Sequence, residues 1–135
     1  MTTRQATYVA ATALAVLAFA GSGLANLLHV THIAEDMAHL GYPPYFMTIL
    51  GTWKVLGAIV VAAPQLPRAK EWAYAGMMFD LTGAAASRAA AGDGMVTVLV
   101  PLTIASVVGL SWATRPAGRK FATPSLVQTR QAEAM

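Results

Sequence analysis

Four long apolar runs alternate with short polar segments along the chain. The runs cover about residues 7–28, 45–63, 72–91 and 95–114. Each is close to the ~20 residues that a helix needs to cross the hydrocarbon core of a bilayer. Barrel strands are excluded because the period-two alternation they require is absent, and backbone groups in lipid must bond internally. The pattern therefore predicts an all-α integral membrane protein, folded as a four-helix up-down bundle.

The connections between these predicted helices are short. Pro64 and Pro67 are placed to stop the second helix and begin the third, and a Gly-Asp-Gly turn at 92–94 precedes the fourth. Short connections make consecutive helices antiparallel neighbours. We expect one transmembrane domain over residues 1–114, followed by a polar cytoplasmic tail over residues 115–135.

The segment between the first and second runs, residues 29–40, has a different pattern. Apolar residues recur on one helical face, namely Ile33, Met37 and Leu40. Polar residues share the opposite face, namely His32, Glu35 or Asp36, and His39. This pattern is typical of a short amphipathic helix that lies at a membrane interface. Gly41 is expected to end it, and Pro43 and Pro44 to begin the next crossing.

The composition agrees with a membrane protein. Of the 135 residues, 56% are hydrophobic and only 11% are charged, whereas a soluble domain carries about a quarter charged residues. There are no cysteines, which excludes disulfides, thiolate nucleophiles and cysteine-ligated metals. The net charge of +3 comes from few basic residues, so nothing indicates a nucleic-acid partner.

The distribution of basic residues predicts the orientation. Most fall on one side of a four-crossing arrangement, namely Arg4, Arg68, Lys70, Arg115, Arg119, Lys120 and Arg130. Basic residues concentrate on the cytoplasmic side, so both termini are expected there. An alternative is that the first run is a cleavable signal peptide with an Ala-Phe-Ala site at 18–20. However, the run continues to Leu28, and cleavage would leave only three crossings.

Two charges fall within the predicted crossings, at nearly equal depth. Lys54 and Asp80 lie roughly 14 Å and 17 Å from the outer ends of their runs, at 1.5 Å per residue. Small residues share their helical faces, namely Gly51 and Ala58 with Lys54, and Gly76, Gly83, Ala84 and Ser87 with Asp80. Small residues let membrane helices approach closely. The pattern predicts a buried Lys54–Asp80 pair, which either only secures helix packing or is a candidate catalytic pair.

Polar residues near the outer end form a second candidate site. Ser22, Asn26 and His29 share one face of the first helix, and a continued helix would align His29, His32, Asp36 and His39. Three imidazoles and a carboxylate suit zinc, but no metal motif such as HExxH is present, so no metal is predicted. The alternative is a polar mouth that meets a ligand head group or relays protons. The candidate ligand-binding residues are Asn26, His29, His32, Asp36, His39 and Arg88. Arg88 either extends its charged end to the membrane surface or pairs with Glu35, Asp36 or Asp93.

Several motifs resemble the DoxX-like family. They are HLGYP at 39–43, YF at 45–46, LGTWKVLGA at 50–58, LPRAKEWAYAG at 66–76 and FDLTGA at 79–84. The resemblance implies a small four-helix protein of the bacterial cytoplasmic membrane, in a wider group named for a subunit of a thiosulfate:quinone oxidoreductase. Lys54, Glu71 and Asp80 match the family pattern, whereas Asn26 and Arg88 depart from it.

Three functions are compatible with these features. The first is an accessory or interaction subunit of a membrane complex, without chemistry of its own. The second is a quinone-linked redox component, which rests on the family resemblance and needs electrons from a partner protein or a bound quinone. The third is a small-molecule transporter or lipid-modifying enzyme using the Lys54–Asp80 and histidine regions. Expected partners are the lipid bilayer, a membrane or redox protein, and further copies of the chain. The copies are expected because four helices enclose little space, so transport would need an oligomer.

Overall fold

The computed structural model describes residues 1–117, 120 and 133–134. Within these residues there are five helices and no strand, which confirms the all-α prediction. The helices are α1 (Thr3–Leu27), α2 (Thr31–His39), α3 (Pro44–Ala62), α4 (Pro67–Ala90) and α5 (Met95–Thr114). The four long helices coincide with the four apolar runs to within about five residues, and α2 is the predicted short helix. Most of the expected tail at 115–135 lies outside the described residues.

Prolines and glycines set the helix boundaries, as their positions in the sequence predict. Pro44 and Pro67 occupy the first positions of α3 and α4, where the missing N–H costs no helical hydrogen bond. Gly41 follows α2 with φ +86°, and Gly92 follows α4 with φ +79°. These left-handed conformations favour glycine because it has no Cβ. At the start of the chain, Thr2 caps α1 by accepting a hydrogen bond from the amide of the third helical residue.

Three of the long helices are long and apolar enough to cross a membrane. They are α1, α3 and α5, and more than two thirds of the residues in their apolar windows are not buried inside the protein. Apolar side chains therefore cover the outside of the molecule, which indicates a membrane protein. By the same measure α4 does not qualify, because five charged residues interrupt it, namely Arg68, Lys70, Glu71, Asp80 and Arg88. The predicted fourth crossing therefore stays a prediction.

The long helices pack in the order α3, α1, α5, α4, and α4 returns to α3. The α3–α4 contact is the least extensive of the four. The core lies where the helices converge and comprises Ala15, Phe19, Ala58, Val61, Tyr74, Met77, Leu81, Ala105 and Val108. The helix α2 has no buried residue and lies against α3 and the end of α1.

Two glycines bring α1 and α3 very close together. A Cβ placed on Gly51 would lie 2.7 Å from the carbonyl oxygen of Gly23, and a Cβ on Gly23 would lie 2.9 Å from Cβ of Lys54. Small residues allow this close crossing. The sequence also places small residues of α3 and α4 at a helix contact around Lys54 and Asp80. The two helices do meet at that pair, but not through the glycines of α4. A Cβ on Gly76 or Gly83 would meet nothing within 4 Å, because these α4 glycines border an open space.

The opposite end of the molecule is held by two buried cations. Lys70 is only 1% exposed, and its ammonium donates to the carbonyl oxygens of Val60, Val61 and Ala63 at the end of α3. Residues 67–71, which precede the third apolar run, form the first turns of α4. Arg115 is 3% exposed, and its Nη1 lies 2.6 Å from Oε1 of Glu71. The last carbonyls of α3 therefore have partners, and α5 is secured to α4.

Candidate functional site

A cavity of about 760 Å³ lies between α3 and α4, with α1 behind it and α2 at one end. We call it the lateral cavity. Its wall is mostly apolar, and small residues of the two helices leave the space open, namely Gly57, Gly76, Gly83 and Ala84. This volume lies within the range of pockets that hold small molecules. The loose α3–α4 contact is therefore a cavity rather than a tightly packed interface.

The mouth of the lateral cavity opens on the side of the molecule. Three large aromatic residues on its rim are exposed, with Trp53, Trp72 and Phe79 at 69%, 79% and 77%. Trp53 belongs to α3, and the other two belong to α4. If both helices lie in a bilayer, this mouth faces lipid tails rather than water. Molecules dissolved in the membrane would then have direct access.

The Lys54–Asp80 pair lies at the back of the lateral cavity. Nζ of Lys54 is 3.6 Å from Oδ2 of Asp80, and the side chains are 16% and 17% exposed. The ammonium also lies 6.0 Å from the ring centroid of Phe19 on α1. A second cavity of about 460 Å³, the inner cavity, is lined by α1, α4 and α5 and includes the same pair in its wall. The two charges thus lie where the two cavities meet, and both can contact a ligand.

Asn26 contributes a third polar group to the lateral cavity. The residue is 4% exposed, and its Nδ2 donates to the carbonyl oxygen of Ser22 at 2.8 Å. Its Oδ1 is buried and has no hydrogen-bond partner among the described residues. An unsatisfied buried acceptor is costly and uncommon in native proteins. Oδ1 of Asn26 is therefore a buried acceptor that lacks a hydrogen-bond donor in the described part of the chain.

A cluster of four charged or titratable side chains holds α2 in place. We call it the α2 cluster, and its members are Asp36, His39, Arg88 and Asp93. Arg88 pairs with Asp36 and, at 3.0 Å, with Asp93, whose other oxygen lies 2.6 Å from Nε2 of His39. The hydrogen bonds from His39 and then from Arg88 hold the pKa of Asp93 below its usual value. Asp36 and Arg88 also line both cavities, so the cluster closes one end of the site.

The candidate residues from the sequence separate into two groups. Asn26, Asp36 and Arg88 line the lateral cavity. The three histidines do not: His29 contacts Thr48 at 3.0 Å, His39 contacts Asp93, and His32 lies exposed on α2. The stripe of imidazoles is not formed, because His29 has φ +49° and interrupts the helical register between α1 and α2. Among the described residues, no three His, Asp or Glu side chains are grouped as metal ligands.

Some site features could not be read from the sequence. The aromatic rim and Phe19 carry no motif, and apolar residues in a membrane helix look alike whether they line a cavity or face lipid. The sequence predicted that Gly51 lies in a helix contact, but with α4. The structure places Gly51 against Gly23 of α1. Only the polar residues inside the apolar runs gave a usable signal.

A comparison with known proteins assigns the chain to a family. The model of the DoxX-like family matches residues 10–111, which include most of α1, all of α2 to α4 and most of α5. No curated protein and no solved structure matches the chain. The match covers most of the 135 residues and agrees with the motifs around Lys54 and Asp80. The chain belongs to the DoxX-like family.

Proposed function

We propose that this protein binds a membrane-dissolved small molecule with an apolar body and a polar head. The observation that carries the proposal is the lateral cavity, which is apolar over most of its wall and polar at the Lys54–Asp80 pair. Pockets that hold small molecules combine these two properties, because apolar area supplies affinity and a few polar groups orient the ligand. The protein would take its ligand from the bilayer through the aromatic rim.

The polar end of the cavity can orient a head group in two ways. Lys54 offers N–H donors, and Asp80 offers acceptor oxygens. Their 3.6 Å separation is longer than a charge-assisted hydrogen bond, so a ligand atom that supplies its own hydrogen bond can insert at the pair. A pair of this kind can also pass a proton to or from a bound head group. A quinol or another amphipathic small molecule matches an apolar cavity with a polar end, which supports a quinone-linked function over an accessory subunit without a ligand.

We also propose that α4 crosses the membrane, giving four crossings with both termini in the cytoplasm. Its 24 residues are roughly 36 Å long at 1.5 Å per residue. Neighbouring apolar helices α3 and α5 flank it, and short connections join it to both. Asp80 pairs with Lys54 and Arg88 pairs with Asp36 and Asp93, so these charges of α4 are compensated rather than presented to lipid.

Cavity-blocking variants test the ligand proposal. The full chain is extracted with its native lipids into nanodiscs, and bound small molecules are identified by mass spectrometry. Gly76→Leu places a side chain in the open space of the lateral cavity, whereas Gly21→Leu adds the same side chain on α1 outside it. A stoichiometric compound should be retained by the wild type and by Gly21→Leu and lost from Gly76→Leu. Equal retention in all three proteins, or no compound in the wild type, contradicts the proposal.

Single cysteines test the crossing of α4, since the natural chain has none. Gln65→Cys lies in the α3–α4 connection, and Gly94→Cys lies just before α5, where an added Cβ meets nothing within 4 Å. In intact cells, a membrane-impermeant maleimide should label Gly94→Cys directly and Gln65→Cys only after permeabilisation. Labelling of both from the same side would show that α4 does not cross.

A further inference from the structure

The amide of Asn26 is only half satisfied. Its nitrogen donates to the carbonyl oxygen of Ser22 one turn earlier in α1, which assigns the nitrogen and leaves Oδ1 as the free acceptor. The residue is 96% buried, since its exposure is 4%, and it lines the lateral cavity. A buried acceptor without a donor costs free energy that a ligand can recover by supplying one.

The close crossing of α1 and α3 places Asn26 and Lys54 on neighbouring turns of the two helices. A Cβ on Gly51 would lie 3.0 Å from Cβ of Asn26, and a Cβ on Gly23 would lie 2.9 Å from Cβ of Lys54. Asn26 follows Gly23 by three residues, and Lys54 follows Gly51 by three, so both side chains leave the crossing from neighbouring turns. Both residues line the lateral cavity, so an unsatisfied acceptor and an N–H donor lie on neighbouring turns of its wall.

We infer that the polar head of the ligand carries a hydroxyl or N–H group that donates to Oδ1 of Asn26. A hydroxyl fits this arrangement best, because its oxygen can accept from Nζ of Lys54 while its hydrogen is given to Asn26. Heads that only accept, such as quinone carbonyls, esters and ethers, satisfy Lys54 and leave Asn26 without a donor. The site thus selects alcohols, phenols and reduced quinols over their acceptor-only counterparts. This inference rests on the proposed binding of a small molecule in the lateral cavity.

Two matched probes test the inference on the full chain in nanodiscs. 4-Nonylphenol and 4-nonylanisole share the same apolar body, but only the phenol has an O–H donor, and 4-nonylaniline offers N–H donors instead. Binding is followed by the fluorescence of Trp53 and Trp72 on the cavity rim, with each probe expressed as a mole fraction of the lipid. The phenol and the aniline should each bind roughly tenfold more tightly than the anisole, the ratio expected when one buried polar group is left unpaired.

Two variants distinguish donation to Asn26 from ligand binding in the lateral cavity as such. Asn26→Leu keeps a side chain of similar size without the acceptor, so the preference for the phenol should fall to less than about twofold. Gly76→Leu should abolish binding of all three probes, because it fills the cavity. Equal affinity of phenol and anisole in the wild type, as expected if a water molecule satisfies Asn26, overturns the inference but leaves cavity binding intact. Failure of every probe to bind overturns both. The comparison on the wild type decides the question even if Asn26→Leu does not fold.

Discussion

Lys54 on α3 and Asp80 on α4 form an ion pair at the wall between two cavities, with Nζ 3.6 Å from Oδ2. The pair bridges α3 and α4, whose contact is the least extensive of the four between neighbouring long helices. It therefore combines two roles that are usually separate. It holds α3 and α4 together across an open space, and it supplies the polar end of that space.

The pair should show strong energetic coupling. Lys54→Met or Asp80→Asn alone leaves one charge without its partner, and each is expected to destabilise the protein by about 3 kcal/mol. The double variant should lose about 0.5–3 kcal/mol less than the sum of the single losses. Unfolding in a denaturing detergent measures these values. Lys54→Met combined with Glu71→Gln, at the far end of α4, is the control and should be additive.

The close crossing of α1 and α3 should not tolerate a methyl group. Alanine in place of Gly51 would bring its Cβ to 2.7 Å from the backbone of Gly23, so the helices must separate. We expect Gly51→Ala to cost about 1–3 kcal/mol. Gly21→Ala is the matched control on α1, because its added Cβ meets nothing within 4 Å. It should be neutral or stabilise the helix by up to about 1 kcal/mol, so only Gly51→Ala is expected to destabilise the protein.

The α2 cluster should release α2 in acid. Hydrogen bonds from His39 and Arg88 hold the pKa of Asp93 below 3.8. A lowered pKa means that the stabilisation is fully present above pH 3.8 and is lost as the pH falls through the lower folded value. Spin labels on Glu35→Cys and Val96→Cys report the distance between α2 and the start of α5 by electron resonance. The distribution of distances should stay narrow from neutral pH to about pH 4. It should broaden as the pH falls further.

Two further variants identify the groups responsible. Asp93→Asn, which removes the charged acceptor, should broaden the distance already at neutral pH. His39→Ala should have the same effect, whereas His32→Ala on the exposed side of α2 should not. A distance that is insensitive to Asp93→Asn would show that this cluster does not hold α2.

Arg115 should not be replaceable by lysine. Its guanidinium lies 5.1 Å from the ring centroid of Tyr74 and 5.3 Å from that of Trp112, and it pairs with Glu71 at 2.6 Å. A lysine keeps the charge but loses the planar guanidinium that lies near both rings. Arg115→Lys should cost about 1–3 kcal/mol in thermal or detergent unfolding. Arg4 is exposed, and its Nη2 donates one 3.3 Å hydrogen bond to the carbonyl oxygen of Arg115, which a lysine can also donate. Arg4→Lys should therefore change stability by less than about 0.5 kcal/mol.

The sequence by itself determined the helices and their ends. Apolar runs of membrane-spanning length, interrupted by prolines and glycines, can form little besides helices with these boundaries. It also identified Lys54 and Asp80 as neighbours, because charges are rare inside apolar helices and equal depth follows from the rise per residue. Both conclusions use information that is local to one helix or to one pair of helices.

Only the tertiary structure decided what the helices enclose. Gly51 and Gly76 look alike in the sequence, yet Gly51 lies in a close contact with α1 and Gly76 lines a cavity. The histidine stripe depended on one helical register that His29 interrupts with a positive φ. Whether Asn26 has a partner is likewise a property of its surroundings, since its own helix satisfies only the nitrogen. Packing depends on which faces meet in three dimensions, and residue spacing along single helices does not contain that information.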